Sequence, residues 1–471
     1  MVVGSLTIKS DVVVVGAGPG GYVAALRAAQ LGKDVALIDK EKALGGVCLQ
    51  HGCIPTKALI HASNIFQEIK DSKDMGIHVD NLSLDFKKMM SWKDSILKKL
   101  DSGIRNLCKQ AGVEVFNGVA KFEGDNEVHL SGQSDVNVIK YKKAIVATGS
   151  STIEIPGFEF NNNNILSSRE ALQLEKVPKK IVIIGGGYIG TEMATIFGKL
   201  GSEMHIVEMT GQLIPVMEKE VVEVVADKLK DFNIYTHLNS KASGYQEKDG
   251  KIFVKIEENE AEKELEADKV LVCVGRKPNT KNIGLENVGV ELDDKSFIKT
   301  DNSMRTNNED IYAIGDVVGQ PMLAHKASRQ AKVAAEAIAG QKSAFDNKVI
   351  PAVVFNDPEV ASAGLTEQEA KDKNYDIKTS KFPFSALGKA LAINKTAGFV
   401  KMVVNAKDNT LLGIQAVGPN VSNIVSEAAL AIEMGANAED IALTIHPHPT
   451  ISESVMEAAD SILGKGVHYN G

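Results

Sequence analysis

Two cysteines, Cys48 and Cys53, lie five residues apart in the segment GGVCLQHGCIPTKAL. The chain has four cysteines in 471 residues. That is too few for a disulfide framework, and in a reducing compartment a close pair is more often catalytic or metal-binding than structural. A metal site would need a second ligand pair, whereas Cys108 and Cys273 are isolated thiols that we expect in the core, so we predict no metal site. A redox-active pair is the leading hypothesis, and two unrelated buried thiols remain the alternative.

The spacing of this pair constrains the local backbone. Residues five apart in an ideal α-helix have Cα atoms ~8 to 9 Å apart, whereas a disulfide needs about 4.4 to 6.8 Å. If the two cysteines are bonded, the start of the helix must therefore be irregular. Gly52 permits such an irregularity, and Pro55 suits a first helical turn.

A glycine-rich pattern occurs twice in the chain. Residues 11–39, DVVVVGAGPGGYVAALRAAQLGKDVALID, and residues 180–208, KIVIIGGGYIGTEMATIFGKLGSEMHIVE, align at a constant offset of 169. Each copy reads as a short apolar strand, a glycine turn, an apolar-faced helix and a second strand that ends in an acidic residue. The corresponding positions are Gly16, Gly18, Gly21 and Asp39 in the first copy and Gly185, Gly187, Gly190 and Glu208 in the second.

Such a βαβ unit binds a dinucleotide for physical reasons. The first glycine permits a tight turn, the second lets the pyrophosphate approach the backbone, and the third lets helix and strand pack closely. The pyrophosphate then lies at the positive end of the helix. The acid, 23 residues after the first glycine in both copies, accepts hydrogen bonds from a ribose diol. Two copies predict two dinucleotide sites.

Two further segments, each at the end of a predicted strand, add residues to these sites. KAIVATGS and VCVGRKPN each end a predicted strand and enter a loop. We therefore add four residues to the predicted cofactor-binding set: Thr148, Gly149, Gly275 and Arg276.

Length and charge narrow the class of protein. The length predicts about three domains, and 53 basic against 61 acidic side chains give a net charge of −8. Since no basic block stands out, we expect neither a nucleic-acid nor an anionic-lipid partner. The apolar run after Asp11 is interrupted by GAGPGG, and the N-terminus lacks a signal-peptide pattern, so we expect no membrane span and a cytoplasmic protein.

The motifs together carry a family resemblance. GGVCLQHGCIPTKAL, the two glycine patterns, YAIGDV at 312–317, MLAHKA at 322–327 and HPHPTISE at 446–453 resemble the class I pyridine nucleotide disulfide oxidoreductases. Within that family they resemble the branch that oxidises dihydrolipoamide. The resemblance runs from about residue 8 to residue 465 and departs from the usual pattern at Val47, Gln50 and His51.

The resemblance implies a cofactor for each glycine pattern. The first copy is expected to bind the ADP half of FAD and the second to bind the nicotinamide cofactor, with Gly315 and Asp316 as a second contact to FAD. Lys57 resembles a lysine that approaches the flavin ring and pairs with a glutamate, here Glu192. NAD is favoured over NADP, because Glu208 is an anion where NADP would place its 2′-phosphate and the next residues, MTGQLIPVM, contain no arginine.

His448 and Glu453 resemble the acid–base pair of the family. From the residues alone this segment allows other readings, because Thr450 and Glu453 match a helix capping box and His446 is an equally placed histidine. The resemblance favours His448, since thiol exchange at neutral pH needs a base with a pKa near 7. In the family this histidine acts across a dimer interface, which implies a homodimer.

The resemblance also implies a fold, a reaction and partners. The expected α/β fold has two Rossmann-like dinucleotide-binding domains and a C-terminal α+β dimerisation domain. The expected reaction oxidises protein-bound dihydrolipoamide with reduction of NAD, on lipoyl-bearing subunits of 2-oxo acid dehydrogenase or glycine cleavage complexes. A glutathione- or mercuric-reductase-like enzyme and a non-catalytic flavoprotein subunit remain alternatives. The expected domains are 1–150 (FAD), 151–276 (NAD), 277–349 (completing the FAD site) and 350–471 (interface).

Overall fold

The computed structural model describes residues 6–124, 126–132, 135–161 and 163–469. The outermost ends of the expected first and last domains, and one residue of the asparagine run 161–164, lie outside the described residues. The strands are β1 Leu6–Val15, β2 Val35–Asp39, β3 Glu114–Phe122, β4 Glu127–Gly132, β5 Val136–Val146, β6 Ser150–Thr152, β7 Ile165–Leu166, β8 Lys180–Ile184, β9 Glu203–Val207, β10 Ile234–His237, β11 Ser240–Lys248, β12 Lys251–Glu258, β13 Ala261–Ala267, β14 Lys269–Val272, β15 Arg276–Pro278, β16 Ile311–Ala313, β17 Ala352–Val354, β18 Glu359–Gly364, β19 Ile377–Pro383, β20 Phe399–Asn405 and β21 Leu411–Gly418.

The helices fill most of the connections between these strands. They are α1 Pro19–Gln30, α2 Gly46–His51, α3 Cys53–Asp71, α4 Phe86–Ala111, α5 Ser168–Ala171, α6 Tyr188–Lys199, α7 Lys219–Leu229, α8 Ala324–Ile338, α9 Glu367–Asp372, α10 Gly388–Ala392, α11 Val421–Met434, α12 Ala438–Leu443 and α13 Glu453–Ile462. Short 3₁₀ turns add Ser72–Met75, Lys230–Phe232, Leu285–Val288, Gly315–Val318 and Phe384–Ala386.

The chain divides into two compact units. The first comprises residues up to 59, 85–153 and 275–346, and the second comprises 60–84, 154–274 and 347 onward. In the first unit, β3, β2, β1, β5 and β16 pair in parallel in that order, and β4 forms an antiparallel link between β3 and β5. A two-stranded antiparallel ribbon, β6 with β15, belongs to the same unit.

The second unit contains three sheets. A parallel sheet has the order β10-β9-β8-β14-β7. Strands β11, β12 and β13 form a separate antiparallel sheet. The third sheet is antiparallel, with the order β17-β18-β21-β20-β19. The α/β fold class, with two dinucleotide-binding βαβ units and a C-terminal α+β part, is confirmed, whereas the four domain boundaries remain a prediction.

The valine run of β1 shows why this sequence forms a central parallel strand. Val12, Val13, Val14 and Val15 are all at most 5% exposed. Val12 and Val14 pack into one apolar cluster with α1 and α8, while Val13 and Val15 pack into another with β4 and β5. A strand covered on both faces has an uninterrupted apolar sequence, because side chains on both faces must be buried.

Within the described residues, no helix is long and apolar enough to cross a membrane.

Candidate active site

The first glycine loop lies between β1 and α1. Gly16 has φ +103°, and a Cβ there would lie 2.3 Å from the Ala147 carbonyl oxygen; a Cβ on Gly21 would lie 1.7 Å from the Gly16 carbonyl oxygen. Only glycine fits at these two positions, because backbone fills the space. Around Gly18 no atom lies within 4 Å of a built Cβ, and no side chain caps the helix that starts after it. The start of α1 therefore offers free space and N–H donors to an anionic group.

The second loop, between β8 and α6, repeats this arrangement. Gly185 has φ +105°, and its Cβ would lie 2.5 Å from the Cys273 carbonyl oxygen, while a Cβ on Gly190 would lie 2.1 Å from the Gly185 carbonyl oxygen. Gly187 again has open space and precedes a helix without a side-chain cap. The sequence repeat is therefore also a repeat in space, down to the contacts of each glycine.

The two acids make equivalent hydrogen bonds. Asp39 Oδ2 accepts from the Ala17 N–H at 2.6 Å, and Glu208 Oε2 accepts from the Gly186 N–H at 2.7 Å. The other carboxylate oxygen of Asp39 accepts from the Glu41 N–H. Burial raises the pKa of Asp39, and the N–H bonds from Ala17 and Glu41 oppose that rise.

Each acid therefore braces its glycine loop at the carboxyl edge of a parallel sheet. Open space at the second glycine, an uncapped helix start and a braced carboxylate suit a dinucleotide in both units. The residues present fit one dinucleotide in each unit, and the assignment of FAD to the first loop and NAD to the second remains a prediction.

Three strand ends meet in the first unit through polar contacts. Ser150 donates its hydroxyl proton to Asp316 Oδ2, and Arg276 Nε donates to the Ser150 hydroxyl at 2.7 Å. Arg276 also donates to the Ser150 carbonyl at 2.6 Å. The predicted residues Arg276 and Asp316 are thus brought together by a residue that sequence reasoning missed. Its position directly after Thr148 and Gly149 was the available signal.

The remaining predicted residues of this region lie in the same neighbourhood. Thr148 donates its hydroxyl proton to the Asn279 carbonyl at 2.7 Å, and Asn279 Nδ2 donates to the Thr148 carbonyl at 2.9 Å. Gly149, Gly275 and Gly315 all have positive φ, at 72°, 127° and 80°. Asn279 is a second residue that the sequence did not single out.

Lys57 and Glu192 lie in different units. Lys57 lies in the first turns of α3, and Glu192 is a buried residue of α6. Oε1 of Glu192 accepts from the Phe355 N–H at 2.9 Å, which joins α6 to the segment after β17. The pairing of these two side chains remains a prediction.

Cys48 and Cys53 form a disulfide bond. Helix α2 ends at His51 and α3 begins at Cys53, with Gly52 between them at φ −147° and ψ −109°. This break brings the two Cα atoms to 4.7 Å, well below the ~8 to 9 Å of a continuous helix. The irregular helix start expected for a bonded pair is therefore present. A Cβ on Gly52 would lie 3.1 Å from the Val47 carbonyl oxygen, a close approach that favours glycine here.

The two histidines of HPHP have different environments. His446 has a side chain only 4% exposed, and its ring nitrogens contact Glu427 Oε1 at 2.7 Å and the Thr444 carbonyl at 2.8 Å. The hydrogen bond to Glu427 raises the pKa of His446 despite burial. Both ring nitrogens face acceptors, so this ring is held in place within the loop and its protonated form is favoured.

His448 is the accessible histidine. Its side chain is 76% exposed, and Nδ1–H donates to Glu453 Oε1 at 2.8 Å. Burial tends to raise the pKa of Glu453, but the hydrogen bonds from the Thr450 N–H and His448 lower it overall. An ionised Glu453 fixes the tautomer of His448 and leaves Nε2 as a proton acceptor. Only half of the capping box considered for this segment forms: Glu453 Oε2 accepts from the Thr450 N–H at 2.8 Å, but the Thr450 hydroxyl donates to the Pro447 carbonyl and α13 begins only at Glu453.

The other two thiols are suited to packing. Cys108 is 1% exposed, and burial raises its pKa. Cys273 is only partly buried, so the expectation of a core position holds for Cys108 but not fully for Cys273, although desolvation raises the pKa of the Cys273 thiol to about 12. Both thiols are therefore protonated and weakly nucleophilic at neutral pH. Among the described residues, no group of three or more His, Cys, Asp and Glu side chains could hold a metal ion.

Comparison with known proteins defines the class. Residues 10–331 match the family described as pyridine nucleotide-disulphide oxidoreductase, and residues 350–459 match its dimerisation domain. The chain therefore belongs to the pyridine nucleotide-disulphide oxidoreductase family, which confirms the resemblance carried by the sequence motifs.

Particular relatives narrow the comparison. The chain is 48% identical over 468 residues to the dihydrolipoyl dehydrogenase of Geobacillus stearothermophilus, with 99% of each chain covered. It is 47% identical over 469 residues to the dihydrolipoyl dehydrogenase of Bacillus subtilis, again with 99% of each covered. Among solved structures, the HOCl-induced flavoprotein disulfide reductase of Escherichia coli superposes with a TM-score of 0.85 at 25% identity, covering 96% of this chain and 99% of that one.

Proposed function

We propose that the chain is a dihydrolipoyl dehydrogenase, an FAD-dependent enzyme that oxidises protein-bound dihydrolipoamide to lipoamide and reduces NAD to NADH. The observation that carries this proposal is the Cys48–Cys53 disulfide. It lies at a helix break in the same unit as a dinucleotide-binding glycine loop. The full-length relatives described above support the choice of substrate.

The side chains of this chain perform the thiol chemistry. His448, oriented by Glu453, takes a proton from one substrate thiol, and the resulting thiolate attacks Cys48 Sγ. The Cys48–Cys53 bond breaks, and Cys53 leaves as a thiolate. His448 releases its first proton to solvent and takes the proton of the second substrate thiol. The resulting thiolate attacks the substrate sulfur of the mixed disulfide, Cys48 leaves as a thiolate that accepts the proton from His448, and the lipoamide ring closes. The substrate loses two electrons and two protons, and the electron pair remains on the reduced cysteines. FAD, held at the first glycine loop, would supply the acceptor for that electron pair and the hydride donor for NAD.

The histidine and the disulfide come from different subunits in this proposal. The dimerisation domain supports a homodimer, and His448 is highly exposed on the chain considered alone. A base that serves the disulfide of a second copy must be exposed in this way before assembly. We therefore propose two composite sites per dimer, each with His448 of one subunit and the cysteines of the other.

Cofactor placement follows the two glycine loops. FAD is assigned to the loop around Gly18, with Asp39, Asp316 and Lys57 as further contacts, and NAD to the loop around Gly187, with Glu208 on its ribose. The anionic side chain of Glu208 would repel a 2′-phosphate, which favours NAD. Lipoyl-bearing subunits of a 2-oxo acid dehydrogenase or glycine cleavage complex are the proposed partners. A reducing, cytoplasmic compartment suits the two free thiols, Cys108 and Cys273.

One assay tests the reaction against its alternatives. The purified protein, reconstituted with FAD, is mixed with dihydrolipoamide and either NAD or NADP, and in parallel with NADPH and either glutathione disulfide or mercuric ion. We expect NADH formation from dihydrolipoamide and NAD, and negligible turnover in the other mixtures. Faster reduction of glutathione disulfide or mercuric ion would identify a reductase of that type instead.

A cysteine variant separates catalysis from a purely structural role. Cys53→Ser removes the disulfide and should abolish dihydrolipoamide oxidation while FAD stays bound. Cys108→Ser, a buried thiol elsewhere in the same unit, serves as the matched control and should retain turnover. Full turnover by Cys53→Ser would favour a non-catalytic role for the pair.

A further inference from the structure

The first turns of α8 carry two buried polar side chains on one face. Lys326 and Gln330 are each 4% exposed, and residues four apart lie next to each other on a helix surface. A lysine in the first turn opposes the helix dipole, and burial of an ammonium group is costly. Burial lowers the pKa of Lys326 to about 8, although the Asp316 carboxylate opposes this shift. The cost of placing a lysine here must be offset by the contacts that it makes.

Both side chains bind the same short segment. Lys326 Nζ donates to the Gly319 carbonyl at 2.5 Å, and Gln330 Oε1 accepts from the Gly315 N–H at 2.9 Å. These contacts hold the two ends of the 3₁₀ turn Gly315–Val318 and the glycine that follows it. Asp316 lies between the two points of attachment.

Residues 315–319 depend on contacts from other elements because both ends of this segment are glycines. Gly315 and Gly319 have φ values of 80° and 114°, and glycine loses more conformational freedom on ordering than any other residue. Two such ends leave the backbone at Asp316 with little local stiffness. On its other side, Asp316 is held by the hydroxyl of Ser150. The contacts from α8 therefore complete the bracing of this carboxylate.

We propose that Lys326 and Gln330 are positioning residues, a clamp on residues 315–319 that fixes the Asp316 carboxylate for binding of the flavin dinucleotide. This inference rests on the proposed function, which assigns FAD to the first unit. The titratable and charged groups on the elements packed against α8 are Asp316 on the 3₁₀ turn and Tyr22 and Arg27 on α1. Arg27 is paired with Glu336 at 2.7 Å.

The clamp predicts a pH dependence of cofactor binding. Lys326 is charged below about pH 8 and neutral above it. Its hydrogen bond to the Gly319 carbonyl therefore weakens as the pH rises. FAD affinity should therefore fall between pH 7 and pH 9 in the unaltered protein.

FAD binding to the full-length apoprotein tests this clamp without reference to turnover. FAD is removed, and rebinding is followed by flavin fluorescence at pH 7 and pH 9 for the unaltered protein, Lys326→Met, Gln330→Met and Lys332→Met. Lys332 is an exposed lysine of the same helix and is the matched control. We expect the dissociation constant of Lys326→Met to rise about tenfold at pH 7, in keeping with loss of a hydrogen bond from a charged group, and to be flat between pH 7 and pH 9. Gln330→Met should weaken binding in the same direction, and the control should stay within about twofold.

The outcomes separate the clamp from the proposed function. Unaltered protein that binds no FAD would overturn the proposed function, and with it the clamp. Unaltered protein that binds FAD while both clamp variants bind it equally well, with the same pH profile, would overturn the clamp alone.

Thermal unfolding of each apoprotein measures whether the variants also lose stability. A purely structural role lowers stability and affinity together, whereas the clamp predicts a loss of affinity at nearly unchanged stability. Should Lys326→Met fail to fold, Gln330→Met and the pH series of the unaltered protein decide the matter.

Discussion

Nδ1 of His448 lies 2.8 Å from Oε1 of Glu453, on a histidine whose side chain is 76% exposed. An ionised carboxylate can only accept hydrogen bonds, so the proton sits on Nδ1 of His448 and the lone pair on Nε2 is presented outward. The geometry thus prepares a base while leaving its reactive nitrogen accessible.

Replacement of His448 should slow only the half-reaction in which dihydrolipoamide is oxidised. His448→Gln should lower the rate of dihydrolipoamide oxidation by about 10²- to 10⁴-fold, the range for loss of a general base. NADH oxidation by an artificial acceptor that bypasses the cysteines should be unchanged. His129→Gln, which alters a surface histidine beside Glu127, is the control for both assays. Equal losses in both half-reactions would show that His448 supports the fold instead of the thiol step.

The glycines of the second loop should respond differently to alanine. At Gly187 a Cβ meets no atom within 4 Å, whereas at Gly190 it would lie 2.1 Å from the Gly185 carbonyl oxygen. Gly187→Ala should therefore change the free energy of unfolding by less than about 1 kcal/mol yet weaken NAD binding, because the methyl group occupies space meant for the pyrophosphate. Gly190→Ala should destabilise the protein by about 1 to 3 kcal/mol or more through overpacking. Urea unfolding and NADH fluorescence titration measure the two effects. Normal NAD affinity in Gly187→Ala would place the nucleotide elsewhere.

Glu208 should decide between the two nicotinamide cofactors. Glu208→Gln keeps an oxygen that can accept from the Gly186 N–H but removes the charge that repels a 2′-phosphate. We expect the ratio of kcat/KM for NAD over that for NADP to fall about tenfold, equivalent to ~1.4 kcal/mol. Glu203→Gln, on the same strand β9, should leave the ratio unchanged. An unaltered ratio in Glu208→Gln would mean that other groups select the cofactor.

A buried lysine in the second unit should carry a large share of its stability. Lys401 Nζ lies 3.0 Å from Glu218, 2.6 Å from Glu220 and 2.7 Å from Glu367, with a side chain 8% exposed. Lys401→Met leaves three carboxylates without their shared cation and should cost about 3 to 5 kcal/mol at pH 7. Lys371→Met, at an exposed partner of Glu367, should cost under about 1 kcal/mol. Denaturant unfolding of both variants checks this difference.

The same cluster predicts how stability depends on pH. Hydrogen bonds from Lys371 and Lys401 lower the pKa of Glu367 from 4.5 to about 2. A carboxyl with a lowered folded pKa stabilises the protein above its unfolded pKa and loses that contribution as the pH falls through the folded value. The stability gap between unaltered protein and Lys401→Met should therefore narrow from pH 4.5 toward pH 2. A gap that stays constant over this range would argue that packing of the lysine stem, not its charge, is what matters.

Much of the site was readable from sequence because it depends on local sterics. Gly16, Gly21 and their counterparts are glycines because backbone occupies the space beside them. The five-residue spacing of the cysteines likewise required a helix break, which Gly52 provides. The closest contacts of Gly21 and Gly190 lie within their own loops, whereas Gly16 faces Ala147 and Gly185 faces Cys273, both distant in the chain. The regular spacing of the glycines within each loop is what can be recognised in the sequence.

The hydrogen bonds that hold Asp316 could not be predicted from the sequence in this way. Ser150 and Asp316 are 166 residues apart in the chain, and Ser150 and Arg276 are 126 apart. No periodicity connects residues at such separations, because their contact depends on the pairing of strands β6 and β15 and on the position of the turn after β16. The role of Gln330 at Gly315 has the same origin.

The sequence by itself determined the two dinucleotide loops, the acids that follow them and the redox pair, since each leaves a spacing of glycines, acids or cysteines within a few tens of residues. Only the tertiary structure distinguished the buried, doubly bonded His446 from the exposed His448, and only it showed which remote side chains hold Asp316. Burial and long-range pairing are properties of the assembled chain. They depend on which distant segments meet and exclude water, and local spacing carries no record of that.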